Sequence, residues 1–106
     1  METSKNGYRK ALREMSMSLG RTNDPELIED FFDSILTSSE LETIAARWEL
    51  VKLIDQGYSQ RKISEMLGLS LCKITRGSKE LKKENSAFAQ MIHAFREVEA
   101  ATKQPG

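Results

Sequence analysis

The sequence has little of what disulfide frameworks and metal centres require, with one cysteine and one histidine in 106 residues. Cys72 alone cannot form an intrachain disulfide, which fits a reducing cytoplasm. One cysteine and one histidine also cannot build a Cys/His zinc site within one chain. The apolar runs are only a few residues long, so we expect no membrane-spanning segment and no membrane partner. No nucleophile–base–acid set is apparent, and we therefore predict a protein that is not an enzyme and uses no cofactor.

A net charge is lacking too, because 16 basic residues balance 16 acidic ones. Their distribution along the chain is nevertheless uneven. From Asp24 to Glu42 there are seven acidic residues and no basic one, whereas Ser59 to Lys83 holds seven basic and two acidic residues, a local net charge of +5. Counterion release depends on local basic surface, so the second segment suits a phosphate backbone. A solvated basic face without a partner is the alternative that charge alone leaves open.

Helical periodicity runs through the chain, and no alternating strand pattern appears. We predict an all-α fold of about six helices in a single domain over residues 1–100, followed by a disordered tail over residues 101–106. The third predicted helix begins after a capping box of Thr37 and Glu40 and ends near Gln56. Its apolar residues cover more than one face, which predicts that it is the buried central element.

The most informative segment covers residues 59–78, where the pattern predicts two short helices joined by a tight turn. Ser59 and Ser70 are suited to cap the two helices, and Gly68 allows the positive φ of the turn. Apolar residues stand where they would hold the pair together: Ile63, Leu67, Leu69 and Ile74. This combination predicts a helix-turn-helix whose second helix places its first turn in the major groove of DNA.

Residues near the start of that second helix would face base edges. The candidates are Leu71, Cys72, Lys73 and Thr75. Leu71 and Cys72 suit contact with a thymine methyl group, and Lys73 suits donation to guanine O6 and N7. Gln60 and Arg61, which begin the first helix of the pair, suit phosphate contacts. For Cys72 a role as a small filler residue is favoured over any redox role.

The run Ile-Thr-Arg-Gly-Ser at residues 74–78, with Ser59-Gln60-Arg61 before it and Leu36-Thr37 and Arg47 further upstream, resembles the bacterial tryptophan repressor family. The match extends over about residues 36–82, nearly half the chain. The resemblance implies an intertwined all-helical homodimer with two DNA-reading heads. It also implies a double-stranded DNA operator and L-tryptophan as co-repressor, bound between the core and the reading head.

The same resemblance implies a ligand pocket, residue by residue. Arg47 and Arg76 match two arginines that sandwich the indole ring, which makes physical sense because planar guanidinium groups stack on aromatic faces. Thr37 matches a threonine near the ligand carboxylate, and Leu36 matches a residue whose backbone carbonyl faces the ammonium. Gly77 matches a glycine that lets the indole lie close to the backbone.

Family positions that contact DNA are matched as well, by Gln60, Arg61, Thr75 and Lys82. Lys73, Glu80 and Ser34 depart from the family pattern, and one residue is missing between Gly57 and Ser59. Lys73 replaces a small polar residue that helps to line the pocket, and Glu80 replaces a serine near the ligand's amino group. Glu80 is able either to pair with an ammonium or to repel a carboxylate. Without the resemblance, Arg47 would be read as pairing with Glu40 or Glu42, or as facing solvent.

Three functional hypotheses remain open on the sequence. The first is a sequence-specific DNA-binding transcriptional repressor activated by L-tryptophan, in which ligand and operator favour the same head orientation. The second keeps the DNA-binding head and drops the response to tryptophan. The third is a protein-interaction module built on a helix-turn-helix, with the acidic second helix as its docking face.

Overall fold

A computed structural model describes residues 5–103 of the chain. This part of the chain contains six helices and no strand, which confirms the all-α prediction. The helices are α1 (Lys5–Gly20), α2 (Pro25–Ile35), α3 (Ser38–Asp55), α4 (Gln60–Leu67), α5 (Leu71–Lys82) and α6 (Ala87–Lys103). None of them is long and apolar enough to span a membrane.

The chain divides into two compact units, Met1–Leu41 and Glu42–Gly106. In the first unit, Asp24 caps α2 by accepting hydrogen bonds from the backbone N–H groups of Glu26 and Leu27 at 3.1 and 3.3 Å. Pro25 then occupies the first turn, where its missing N–H costs nothing. No residue of α2 is buried, although the helix carries a strong apolar stripe. Leu27 and Ile35 are exposed and Ile28, Phe31 and Phe32 are half-buried, so the described residues cover the stripe only in part.

The predicted capping box at the start of α3 is present. The Thr37 hydroxyl accepts from the Glu40 N–H at 3.1 Å, and the Glu40 carboxylate accepts from the Thr37 N–H at 2.8 Å. The expected burial of α3 on several sides is wrong for its first half. Its buried residues are Leu50, Val51 and Leu53, all in the second half. Ile44, in the first half, is 41% exposed.

The second unit is built round a small apolar core that joins three helices. Ile63 of α4 and Ile74 of α5 are completely buried and cluster with Leu50 and Leu53 of α3. Three half-buried residues pack against this cluster: Ile54, Leu67 and Leu69. The prediction that Ile63, Leu67, Leu69 and Ile74 hold the helix pair together is confirmed. We call α4 and α5, with the turn between them, the reading head.

Helix α6 packs against α5 and completes the second unit. The Ser86 hydroxyl caps it by accepting from the Ala89 N–H at 3.0 Å, and Asn85 before it adopts a left-handed φ of 57°. Trp48 of α3 stacks on the ring of Phe88, with 6.0 Å between ring centroids, and meets the Phe95 ring edge-on.

Helix α6 ends later than the sequence analysis predicts, because the predicted disordered tail begins at residue 101. The helix continues to Lys103, three residues into the segment that was expected to be disordered. The Thr102 hydroxyl donates to the Val98 carbonyl at 2.9 Å, and no glycine or proline interrupts the helix before Pro105. Residues 104–106 lie outside the described residues, and the single domain over residues 1–100 stays a prediction.

Replacing Ile74 by alanine should destabilise the protein by about 2 to 5 kcal/mol, because the substitution leaves a cavity in a completely buried site. The free energy of unfolding from urea titrations measures the effect. Leu71→Ala on the same helix is the matched control, since Leu71 is 55% exposed and its truncation should change stability by no more than about 0.5 kcal/mol. Equal losses in the two variants would contradict the placement of α5.

Candidate nucleic-acid interface and effector site

The first turn of α4 presents two polar side chains at a helix N-terminus. The Ser59 hydroxyl caps the helix by accepting from the Lys62 N–H at 3.1 Å, as the sequence predicted. Gln60 and Arg61 follow directly, and both are exposed. Backbone N–H groups and the helix dipole favour an anion at such an end, so this turn suits a phosphate group.

The turn between the two helices has the predicted left-handed residue. Gly68 lies at φ 68° and ψ 26°, and its N–H donates to the Ser64 carbonyl at 2.8 Å. The Ser64 hydroxyl in turn donates to the Leu69 carbonyl at 2.9 Å. This bond was not predicted from the sequence. The bond fixes the turn, and with it the direction in which α5 leaves α4.

Helix α5 separates an inner face from an outer one. Ile74 and Gly77 are its buried residues, and they face the rest of the second unit. The Ser70 hydroxyl caps the helix by accepting from the Lys73 N–H at 3.4 Å. The four residues predicted to face base edges are all exposed: Leu71, Cys72, Lys73 and Thr75. The structure therefore brings these four residues to one accessible end of one helix.

The outer side of α5 is also basic along its length. Its exposed cationic residues are Lys73, Arg76, Lys79 and Lys82. Lys79 and Lys82 stand in the last turn, where positive charge also favours the helix. The predicted phosphate contact Lys82 is thus at the opposite end of α5 from Lys73.

The two arginines proposed to hold an indole ring both belong to the second unit and are both exposed. No ion pair within residues 5–103 includes Arg47 or Arg76. The alternative in which Arg47 pairs with a neighbouring acid is thus not realised in the described part of the chain. Both guanidinium groups remain available to a ligand.

Gly77 of α5 packs against α3. A Cβ atom there would stand 3.1 Å from Leu50 Cδ2 and 3.5 Å from Ile54 Cδ1. The absence of a side chain therefore serves the packing of α5 on α3. Its predicted second use, the close approach of an indole ring, stays a prediction.

Glu80 carries a negative charge that its neighbours stabilise. Lys83 Nζ lies 2.9 Å from the Glu80 carboxylate. The hydrogen bond from Lys83 is the main cause that lowers the pKa of Glu80. Desolvation opposes it, and the positive charges of Lys83 and Arg76 lower the pKa by smaller amounts. Glu80 and Lys83 also line an open groove of about 480 Å³ beside Trp48, Phe88 and Met91.

Leu36 and Thr37 belong to the first unit, where they form the short extended link between α2 and α3. The Leu36 N–H donates to the Phe32 carbonyl at 3.0 Å, and Leu36 is half-buried. The hydroxyl of Thr37 is engaged as the α3 cap. No group of acidic, histidine or cysteine residues in the described ranges could hold a metal ion.

Lys83→Gln should raise the pKa of Glu80 towards its ordinary value of 4.5, because the substitution removes the ammonium charge and leaves at most the weaker hydrogen bond of a neutral amide. An NMR titration of the Glu80 carboxyl carbon measures the change. Since the pKa of Glu80 is lowered on folding, its contribution to stability is complete above pH 4.5 and is lost as the pH falls through the lowered value.

The matched control is Lys79→Gln, which removes a lysine of the same helix that does not contribute to the shift. Its titration curve for Glu80 should coincide with that of the unmodified protein. A Glu80 pKa that is the same in all three proteins would contradict the assigned pairing with Lys83.

Comparisons with known proteins agree with this arrangement. The family model described as Trp repressor protein matches residues 3–96. The Trp operon repressor homolog of Chlamydia caviae is 34% identical over 92 residues, which cover 86% of this chain and 87% of that protein. The homolog of Vibrio cholerae is 44% identical over 63 residues, 55% of this chain and 61% of that protein. No solved structure matches the chain.

The family match extends over most of the chain and includes both the reading head and the arginines described above. A family of repressor proteins is not a family of enzymes, so the prediction that this chain is not an enzyme is confirmed by its relatives. The all-α fold and the helix-turn-helix complete the agreement, and the chain belongs to the Trp repressor protein family.

Proposed function

We propose that this protein is a sequence-specific DNA-binding transcriptional repressor with L-tryptophan as its co-repressor. The observation that carries the proposal is the outer face of α5. Its first turn is capped by Ser70 and presents Leu71, Cys72 and Lys73 to solvent, while Ile74 and Gly77 anchor the opposite face. A rigidly held, accessible and basic helix start is what reading of a major groove requires.

In this proposal the reading head divides its contacts by type. Gln60 and Arg61 at the start of α4 and Lys82 at the end of α5 bind phosphates and set the register on the duplex. Lys73 and Thr75 then reach base edges, and Leu71 and Cys72 contact thymine methyl groups. The zero net charge is no obstacle, because counterions are released only where basic residues meet phosphates.

We further propose that the protein acts as a homodimer. Support comes from apolar side chains that one chain leaves uncovered, among them Leu27 and Ile35 on α2 and Met91 and Val98 on α6. Met91 and Val98 are seven residues apart and so lie on one helix face. An intertwined partner would cover such faces and would space two reading heads for half-sites about one helical turn apart.

The effector is proposed to be L-tryptophan because Arg47 and Arg76 are exposed and outside any ion pair of the described residues. A planar cation on an indole face is favourable, and Arg76 is also able to pair with the carboxylate. The remaining contacts would come from Leu36, Thr37 and Gly77. Bound ligand would favour one orientation of the reading head, so that tryptophan and operator tighten each other's binding.

Glu80 supports a second candidate, a DNA-binding repressor that does not respond to tryptophan. Its carboxylate is charged at neutral pH and lies 2.9 Å from Lys83 Nζ. In the main proposal this charge pairs with the ligand's ammonium in competition with Lys83. In the alternative it repels the carboxylate of an amino acid.

Because the DNA of the bacteria that carry the relatives lies in the cytoplasm, both candidates are proposed to act there.

Lys73→Ala should weaken binding to a duplex that the protein selects from a random-sequence pool by about 5- to 150-fold, because a good base-edge contact contributes about 1 to 3 kcal/mol of discrimination. Thr75→Ala should act in the same direction. Fluorescence anisotropy at a fixed salt concentration measures both affinities.

The matched control is Lys10→Ala, which removes an exposed lysine of α1 and should leave the affinity nearly unchanged. Variants at Lys73 and Thr75 that bind the duplex as well as the unmodified protein would refute base reading by α5. That result would instead favour a protein-interaction module.

Calorimetric titration with L-tryptophan should give saturable binding at one site per chain, and Arg76→Ala should abolish it because the ring and the carboxylate lose their partner. Arg21→Ala, which removes another exposed arginine, is the control and should bind as the unmodified protein does. No heat at millimolar ligand would overturn the co-repressor assignment and leave a DNA-binding protein with another effector or none.

A further inference from the structure

The last residue of α3 carries a charge that its own helix disfavours. Asp55 ends α3, and the C-terminal end of an α-helix has partial negative charge from its unpaired carbonyl groups. A carboxylate at this point is unfavourable unless a cation lies beside it. Gly57 and the α4 cap Ser59 follow almost at once, so Asp55 stands where the chain enters the reading head.

The compensating cation comes from α6. Arg96 donates from Nε and from Nη2 to the same carboxylate oxygen, Oδ2 of Asp55, at 2.9 and 2.6 Å. Two charge-assisted bonds from one planar guanidinium fix its orientation in a way that a lysine ammonium would not. The two side chains are 36% and 37% exposed, so solvent screens the pair only in part.

This ion pair joins α3 and α6, the two helices that flank the reading head in the chain. The chain leaves α3 at Asp55, forms α4 and α5, and returns through α6 to Arg96, 41 residues later. Ile63 and Ile74 attach the head to the α3 residues of the core by apolar contact. Apolar contact is favourable in many orientations, whereas the ion pair has one preferred geometry. Lys52 Nζ, 5.3 Å from the centre of the Phe95 ring, adds a second polar link between α3 and α6.

We propose that Asp55 and Arg96 are positioning residues that set the orientation of the reading head for sequence-specific DNA binding. The inference rests on the proposed function, since it assigns the pair a role in that activity. Without the pair, the head keeps its apolar core and samples a wider range of orientations. The loss then falls on base reading, which needs α5 in one place, and much less on phosphate contacts, which tolerate displacement.

The test compares Asp55→Asn, Arg96→Gln and the double reversal Asp55→Arg with Arg96→Asp in the full chain. Affinity is measured for a duplex selected by the unmodified protein and for a random duplex, and melting temperatures are recorded in parallel. Each single variant should lower the ratio of the two affinities by about three- to fivefold, as expected for a partly exposed ion pair. The reversal should restore the ratio.

Two features of this design separate positioning from charge and from stability. Asp55→Asn raises the net charge and Arg96→Gln lowers it, so a simple charge effect would move affinity in opposite directions. The matched control is Glu97→Gln, which removes the exposed pair with His93 one residue along α6 and should leave the ratio unchanged. Unchanged ratios in both single variants, or a loss that tracks melting temperature and is not rescued by the reversal, would overturn the proposal.

Failure of the proposed function would look different, because the unmodified protein would then select no duplex at all. Hydrogen exchange of the α4 and α5 amides in the free chain then tests whether the ion pair restricts the motion of the reading head. Exchange that is faster in both single variants, and unaltered in Glu97→Gln, supports a pair that holds the head. Exchange at the unmodified rate in both would overturn it.

Discussion

The contact on which the rest of this structure depends is the burial of Ile63 and Ile74 against α3. Both side chains are completely buried, one from each helix of the reading head. Because Ile63 and Ile74 fix which face of α4 and of α5 is buried, helical geometry determines which residues are exposed. Gln60 and Lys73 are exposed because they lie off the buried stripes of α4 and α5. The polar interface is therefore set by apolar packing, and its residues are free to vary without loss of the fold.

Around this apolar contact, polar interactions act at the ends of elements. Ser59 and Ser70 start the two helices of the head, and the Ser64 hydroxyl fixes the turn between them. The pairs at Asp55 and Glu80 lie at the two ends of the head, where the chain enters and leaves it. Each of these interactions is worth little in energy, but each has a direction that apolar burial lacks.

The features that could be predicted from the sequence depend on residues close together in the chain. Most of the features that were missed depend on residues far apart in the chain. Short sequence patterns predict two helix caps, Ser59 and Ser70, and a left-handed residue, Gly68. The structure has all three. The pairing of Asp55 with Arg96 joins residues 41 apart, which no short pattern reveals. The burial of α3 was overstated for its first half, because an apolar circumference shows that a helix needs cover and does not say which chain supplies it. The effector residues were identified by resemblance, whereas the DNA contacts other than Lys82 followed from the helix-turn-helix pattern. The predicted DNA contacts and both arginines are exposed, which is compatible with their proposed roles.

The absence of any buried residue in α2 has a consequence for the life of the protein in a cell. In the proposed homodimer, the partner chain covers that helix. Folding of the first unit is therefore coupled to dimerisation, and the free energy of association contributes to its stability. The melting temperature then rises with chain concentration. A freshly made chain without a partner exposes its first unit to proteases, whereas paired chains are protected. Dilution would thus remove the protein from the cell by turnover as well as by weaker binding.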